Sequence, residues 1–283
     1  MSRMNAWTPA IYLALAALLV AAAPAAATSY QLADRNATAT VVLGAAEPDT
    51  DGMLSWTIDG ADQFGQQWFW YRIGDDGPER SLSSLDHMAM TLNTNWQPEH
   101  DAMVSLFSDA NLRVEVAYLL RGGLDGSQVA DIAEIIVIDN ISGGPLDLHF
   151  FQYSNFDLGG SADDDYVKIL HGNRAAQAGR GPGGGKVSET TILPAPSHYE
   201  AGLAADLLAR LTDDDADDLA DIAGPVGPGD LAWAFQWDRV LADGQTLIIS
   251  KDKSIGHAPE PLTILALGLS VTGLGAYVRR RMA

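Results

Sequence analysis

The chain has 283 residues, no cysteine, 47% hydrophobic residues and a formal charge of −20 at pH 7. These values exclude a disulfide scaffold, a cysteine-based zinc site and a broadly disordered chain. The acidic surplus also argues against DNA or RNA as a partner, because nucleic-acid binding depends on a basic surface.

The first 27 residues have the pattern of a secretory signal peptide. Arg3 precedes an apolar run over residues 11–23, and the small residues Ala25 and Ala27 complete an A-x-A cleavage site. The run is too short for a membrane anchor, since a spanning helix needs about 20 residues. We therefore expect export through the Sec translocon and cleavage by signal peptidase after Ala27.

Residues 28–258 are expected to form one extracytoplasmic domain, with 36 acidic and 13 basic side chains. Short segments rich in β-branched and aromatic residues are separated by turn residues, which is typical of β-strands. The spacing predicts an all-β fold, a large two-sheet β-sandwich of roughly a dozen strands. The predicted strands cover residues 38–43, 53–58, 66–73, 111–120, 129–139, 146–153, 231–241 and 246–250.

Two segments interrupt this pattern. Residues 175–186 are rich in glycine and are expected to form a surface loop. They do not match a phosphate-binding loop, because Arg180 replaces its first glycine and Val187 replaces the Ser or Thr after Lys186. Residues 200–223 carry leucines at helical spacing on both sides of an acidic run, which predicts a small helical hairpin inserted between strands.

Residues 262–278 form an uncharged stretch of 17 residues near the C-terminus. As a helix this stretch would be about 25 Å long, enough to cross the core of a bilayer. Arg279, Arg280 and Arg281 follow it directly, and such a basic cluster stays on the cytoplasmic side. The sequence thus predicts a transmembrane helix that leaves the main domain outside the cytoplasm.

Pro259, Glu260 and Pro261, followed by this apolar helix and the terminal arginines, resemble the PEP-CTERM sorting signal. The resemblance covers residues 259–283 only. It implies that a membrane-embedded exosortase cleaves at the Pro-Glu-Pro region, after transient anchoring of the protein in the inner membrane. The implied destination is the surface or surroundings of a Gram-negative bacterium that makes exopolysaccharide or biofilm material. The two prolines suit this role, because they keep the segment before the helix extended and accessible.

Four tryptophans are weak candidates for a ligand surface. Trp68 and Trp70 share one face of a predicted strand, and Trp233 and Trp237 share one face of another. If exposed, such aromatic side chains could stack on sugar rings. Packing between two sheets is the alternative interpretation of the same pattern.

Metal and catalytic motifs are scarce in the sequence. Asp163 and Asp165 lie in an acidic loop and are weak candidates for Ca²⁺, because loop carboxylates bind this ion in secreted β-sandwiches. The acidic run at residues 213–218 does not match an EF-hand, since Asp218 replaces the required glycine. The histidines lack zinc-hydrolase spacing, and no nucleophile elbow is present. His149 is expected to be a hydrogen-bonded histidine of the core or of a groove.

The sequence predicts a secreted cell-surface or extracellular-matrix protein with a structural or adhesive role beside exopolysaccharide. No catalytic residue can be assigned, which favours a role other than catalysis. The alternatives are a carbohydrate-binding module and a polysaccharide-acting enzyme. Exposed tryptophans in a groove would favour the module. A cleft that combines carboxylates, His149 or His171 and a basic partner would favour the enzyme.

Overall fold

The computed structural model describes residues 27–45, 50–95, 97–179 and 185–256. Within this part of the chain, no helix has the length and apolar character required to cross a membrane. The predicted transmembrane helix over residues 262–278 lies outside the described residues. The same holds for these residues of the cleavage site and sorting signal: Ala25, Pro259, Glu260, Pro261, Arg279, Arg280 and Arg281.

The described residues form 18 β-strands and one short α-helix, α1 (Ala204–Arg210). The first nine strands are β1 (Thr28–Asp34), β2 (Ala37–Leu43), β3 (Gly52–Ile58), β4 (Ala61–Asp62), β5 (Gln66–Ile73), β6 (Arg80–Ser81), β7 (Asp86–Leu92), β8 (Ala102–Ser108) and β9 (Leu112–Gly122). The other nine are β10 (Ala130–Asn140), β11 (Leu146–Asn155), β12 (Asp165–Leu170), β13 (Arg174–Gly179), β14 (Lys186–Leu193), β15 (His198–Leu203), β16 (Val226–Gly229), β17 (Leu231–Leu241) and β18 (Thr246–Ile255).

These strands make two antiparallel sheets. The first sheet has the order β1-β2-β3-β5-β11-β17-β15, with β4 beside β3 and β6 beside β5. The second sheet has the order β16-β12-β13-β14-β18-β10-β9-β8-β7. The predicted two-sheet sandwich is confirmed, and all eight predicted strands are present. Additional short and peripheral strands raise the total above a dozen.

The hydrophobic core lies between the two sheets, because alternate residues of each strand point toward the opposite sheet. Trp68, Trp70, Trp233 and Trp237 are each at most 1% exposed. The Trp68 ring packs at 5.9 Å from the Phe107 ring of the second sheet. The four tryptophans are therefore buried and do not form an exposed ligand surface. Trp233 and Trp237 point toward the second sheet, whereas Trp70 lies on the opposite face of the first sheet, where its ring packs against Tyr153.

Two lysines and two glutamates lie at the centre of this core, and we call them the buried quartet: Glu134, Glu189, Lys251 and Lys253. Their side chains are fully buried. Lys251 Nζ lies 2.5 Å from Glu134 Oε2 and 3.3 Å from Glu189 Oε1. Lys253 Nζ lies 3.4 Å from Glu189 Oε1 and also pairs with Glu134. The two positive and two negative charges balance, as burial in a dry interior requires.

Side chains of the first sheet hydrogen-bond to the quartet, whose four members all belong to the second sheet. Gln67 donates to Glu134 Oε2 at 3.0 Å. Gln152 and the indole N–H of Trp233 each donate to Glu189 Oε2 at 2.7 Å. Burial by itself would raise the pKa of Glu189, but the two lysine charges and these hydrogen bonds lower it to about 2. The quartet therefore ties the two sheets together through charge-assisted hydrogen bonds.

The predicted helical hairpin over residues 200–223 is wrong in its second half. Only Ala204–Arg210 is helical, and residues 200–203 belong to β15. The following segment crosses the first sheet on the face that points away from the core. Its leucines Leu211 and Leu219 are buried there. In place of helical hydrogen bonds, the backbone N–H groups of this segment donate to side chains. Glu79, just before β6, accepts from Asp217 at 3.1 Å, Gln236 from Leu219 at 2.8 Å and Glu200 from Ala220 at 2.7 Å.

The glycine-rich loop predicted over residues 175–186 begins too early in the sequence, because its first residues belong to a strand. Residues 174–179 form β13, which pairs with both β12 and β14. The small side chains of this segment suit a strand whose alternate residues are buried, as at Ala175. Residues 180–184 lie outside the described residues.

Candidate functional site

Three polar side chains stand side by side on the outward face of the first sheet. The strand register pairs Arg72 with His149 and His149 with Asp238. Successive side chains of a strand point to opposite faces of the sheet. On these strands Gln67, Gln152 and Trp233 point toward the buried quartet. The three side chains of the row lie an odd number of positions away from them and therefore project away from the core. This row crosses the middle of the sheet, on β5, β11 and β17.

Imidazole and carboxylate groups alternate along one edge of this row. Asp238 Oδ1 lies 2.8 Å from His149 Nδ1, and Asp238 Oδ2 lies 3.5 Å from His198 Nε2. His198 Nδ1 in turn lies 3.0 Å from Asp221 Oδ2. Alternating imidazole and carboxylate groups of this kind can accept and donate protons.

Arg72 is the cation of this arrangement, and its side chain is almost fully buried. It donates to Glu79 Oε1 at 2.8 Å and to Asp218 Oδ1 at 2.9 Å. Gln236 donates to Asp218 at 2.7 Å and to Asp238 at 2.8 Å, which fixes these two carboxylates beside each other. The planar guanidinium thus sets the position of the carboxylates around the histidines.

The two carboxyl groups that Arg72 binds differ in their affinity for protons. Burial raises the pKa of Glu79 above its ordinary value despite the charge of Arg72. Partial burial also raises the pKa of Asp218, but hydrogen bonds from Gln236 and Arg72 and the Arg72 charge outweigh it and lower that pKa. Asp218 is therefore the carboxylate of the pair that stays ionised over the wider pH range.

We call Arg72, His149, His198, Asp218 and Asp238 the sheet-face site. The segment with Leu207, Leu211 and Leu219 buries part of the same sheet face. His198 and Asp218 remain open, with 37% and 59% of their side chains exposed. A hydroxyl-rich ligand could reach these two side chains from solvent. A cavity of about 270 Å³ beside β5 is lined by Tyr71, Arg80, Asp109 and Asn111, and its lining does not include His149, His198, Asp218 or Asp238.

The predicted calcium ligands lie elsewhere. Asp163 is exposed, whereas Asp165 is fully buried and accepts a hydrogen bond from Gln177 at 2.5 Å. Burial raises the pKa of Asp165 to about 7. Within the described ranges, neither residue belongs to a group of three or more acidic or histidine side chains with converging ligand atoms. Calcium binding there stays a prediction.

The sheet-face site as a whole was not predicted from the sequence. His149 was predicted to be a hydrogen-bonded histidine of the core or of a groove, and this prediction is confirmed. It is 8% exposed and bonds to Asp238. Arg72, His198 and Asp238 lie on other strands and Asp218 lies in the segment after α1, so no local spacing connects the members. The one available signal is a charged residue at an alternate position of an otherwise apolar strand, as at Arg72. His171 lies in an exposed turn, at a φ of 53°, and does not join the site.

No family model matches this chain, and no curated protein matches it. Among solved structures, it resembles a bacterial glucoamylase complexed with acarbose, at 6% identity and a TM-score of 0.50 over 84% of this chain and 32% of that chain. It also resembles a galactose mutarotase related enzyme from Lactobacillus acidophilus, at 9% identity and a TM-score of 0.52 over 83% of this chain and 99% of that chain. The chain thus spans about a third of the glucoamylase. At these identities the likeness shows the fold alone, a galactose mutarotase-like β-sandwich.

The predicted structural or adhesive role is wrong in view of this finding. The similar structures are a glucoamylase and a galactose mutarotase related enzyme, not structural proteins. These structures agree better with the stated alternatives, a carbohydrate-binding module and a polysaccharide-acting enzyme. Trp68 and Trp233 are buried, so a sugar cannot stack on them, which argues against the carbohydrate-binding module. Converging carboxylates with His149 and Arg72 are the combination that favours an enzyme.

Proposed function

We propose that this protein acts on a carbohydrate at the sheet-face site, by transferring protons to and from sugar oxygens. The observation that carries the proposal is the alternating series of His149, Asp238, His198 and Asp221 on one sheet face. Reactions at an anomeric centre or a glycosidic bond need a proton donor and a proton acceptor on one substrate. Paired imidazoles and carboxylates supply both.

The roles within the site follow from exposure and hydrogen bonding. His198 is the imidazole that a sugar can reach, and Asp221 orients it through Nδ1. Asp238 lies between the two imidazoles, where it stabilises the charge that develops when His198 gains a proton. Asp218 accepts hydrogen bonds from sugar hydroxyls, and Arg72 holds it in place.

The setting that we propose comes from the chain ends. The resemblance of residues 259–283 to a PEP-CTERM signal supports surface sorting by an exosortase after export. A saccharide of the surrounding exopolysaccharide, or a sugar released from it, would then be the substrate. The names of the two similar structures, which refer to sugar-acting enzymes, support the same class of substrate.

The test follows both anomeric exchange and bond cleavage. Purified protein is incubated with the producing organism's exopolysaccharide and, separately, with galactose and glucose, and proton NMR monitors the anomeric and new reducing-end signals. We expect faster anomeric exchange or new reducing ends. His198→Gln and Asp238→Asn should each lower the rate by about 100-fold or more, the usual range for loss of a proton-transfer group. The matched control is His171→Gln, which changes an exposed turn histidine and should keep the full rate.

Two results would count against this proposal. Sugar-dependent shifts of the protein signals without any conversion would reduce the function to carbohydrate binding. Conversion that His198→Gln and Asp238→Asn leave intact would place the reaction at another part of the protein.

A further inference from the structure

We infer that the protein binds a divalent metal ion through His149 Nε2 and the carboxylates of Asp75 and Asp147. This inference goes beyond the proposed function and does not depend on it. It concerns the side of the His149 ring that faces away from Asp238.

The fold brings the three ligands together at one end of the first sheet. Asp147 and His149 are two residues apart on β11, so they point to the same face. Asp75 lies in the turn after β5, and the Gly74 N–H donates to the Asp147 carbonyl at 2.9 Å, which holds this turn beside β11. The ligand atoms of Asp75, Asp147 and His149 all lie within 4.8 Å of one another.

The unsatisfied nitrogen of His149 is the second, independent observation. His149 is 8% exposed, and its Nε2 is a buried polar atom without a hydrogen-bond partner. Leaving such an atom unpaired is costly, so native structures rarely do it without a reason. Asp75 Oδ1 lies 3.7 Å from Nε2, which is too long for a hydrogen bond. A metal ion at about 2.0–2.2 Å from each atom would bridge this gap.

Asp238 fixes the tautomer of the His149 ring that metal binding requires. It accepts a hydrogen bond from Nδ1 at 2.8 Å, and a proton on Nδ1 leaves the lone pair of Nε2 free to bind metal. A carboxylate behind a metal-binding histidine is the usual way to fix its tautomer and orientation. His149 also forms a converging group with Asp218 and Asp238. That group is less suited to a metal, because Nδ1 already bonds to Asp238 and Asp218 already binds Arg72.

The ligand chemistry indicates the class of ion. One imidazole and two carboxylates suit Zn²⁺ and similar first-row divalent ions, whereas Ca²⁺ prefers six to eight oxygen ligands. Two carboxylates also balance the charge of a dication. The remaining coordination positions would be open to water or to sugar hydroxyls, since Asp75 is 88% exposed.

The test is calorimetric titration of metal-free protein with ZnCl₂, without any sugar. We expect one Zn²⁺ per chain, with binding weakened at least tenfold in Asp75→Asn and in Asp147→Asn and lost in His149→Gln. Asp76→Asn is the matched control, because it removes a neighbouring exposed carboxylate outside the group and should keep full affinity. Nitrogen NMR of labelled histidine should show a zinc-dependent shift of the His149 Nε2 signal.

The substitution at Asp75 keeps the test decisive even if His149→Gln fails to fold, because this exposed side chain carries little of the fold. Absence of Zn²⁺ binding by the parent protein would overturn the inference. Binding that Asp75→Asn and Asp147→Asn leave unchanged would also overturn it, by assigning the ion to another acidic cluster.

Discussion

Replacing Lys253 by methionine should lower the free energy of unfolding by about 3–5 kcal/mol, the usual cost of removing one partner from a buried ion pair. Lys253 pairs with Glu134 and Glu189, and all three side chains are fully buried. Methionine has a similar length but no charge. The loss would therefore come mainly from electrostatics and not from a cavity.

The physical reason is the charge left behind. In the parent protein two lysines balance two glutamates, whereas the variant leaves Glu134 and Glu189 with Lys251 alone. An unpaired carboxylate cannot be solvated between the sheets, and the dry interior screens it poorly. Hydrogen bonds from Gln67 and Gln152 stabilise these carboxylates but do not neutralise them.

Denaturant unfolding followed by tryptophan fluorescence measures this effect, since Trp233 bonds directly to Glu189. The double variant Lys253→Met with Glu134→Leu should recover much of the loss, because it removes one charge of each sign. Lys168→Met is the control, because it makes the same change at an exposed strand position. Surface substitutions of this kind usually change stability by about 0.5 kcal/mol or less. A Lys253→Met loss no larger than that of Lys168→Met would show that the quartet is not the electrostatic centre of the core.

The strands could be predicted because their signals are local. Segments such as residues 66–73 and 231–241 combine β-forming side chains with flanking turn residues, and both boundaries agree with the structure. The prediction for β18 ended at Ser250, directly before the charged residues Lys251, Asp252 and Lys253. The strand continues to Ile255, since Lys251 and Lys253 find their partners on β10 and β14. These ion pairs join residues that are far apart in the sequence, so no local pattern indicates them.

The sheet-face site could not be predicted for the same reason. Arg72, His149 and Asp238 lie on three strands that are far apart in the sequence, and only the strand register places them in a row. Asp218 lies in an acidic run that favoured a helix start, whereas Arg72 and Gln236 hold it against the sheet. Local sequence patterns were enough to predict the strands, whereas the sheet-face site depends on contacts between residues that are far apart in the sequence.

Replacing Asp252 by asparagine should stabilise the protein at pH 8 by up to about 4 kcal/mol. Asp252 is 2% exposed, and its Oδ2 atom has no hydrogen-bond partner. Burial raises the pKa of its carboxyl to about 7, and the nearby charges of Asp131, Glu134 and Glu189 add to this, while Lys253 opposes it. At pH 8 the folded protein therefore holds a charge that its surroundings disfavour.

The sign of the pH dependence follows from the two pKa values. An ordinary aspartate titrates at 3.8, so the folded state binds this proton more tightly than the unfolded state does. The cost of ionisation is therefore full above pH 7, falls as the pH decreases from 7 to 4, and is absent below that. A shift of about three units corresponds to about 4 kcal/mol, at 1.36 kcal/mol per unit.

Unfolding free energies of the parent and of Asp252→Asn at pH 8 and pH 4.5 test this reasoning. The gain at pH 8 should shrink to about 1 kcal/mol at pH 4.5, because this pH lies well below the folded pKa but still slightly above the ordinary value of 3.8. Asp125→Asn is the control, since it neutralises an exposed carboxylate and should change stability little at either pH. An equal gain at both pH values would point to a packing effect instead of a titrating charge. A loss at pH 8 would mean that the ionised Asp252 stabilises the second sheet, contrary to its buried and unpaired oxygen.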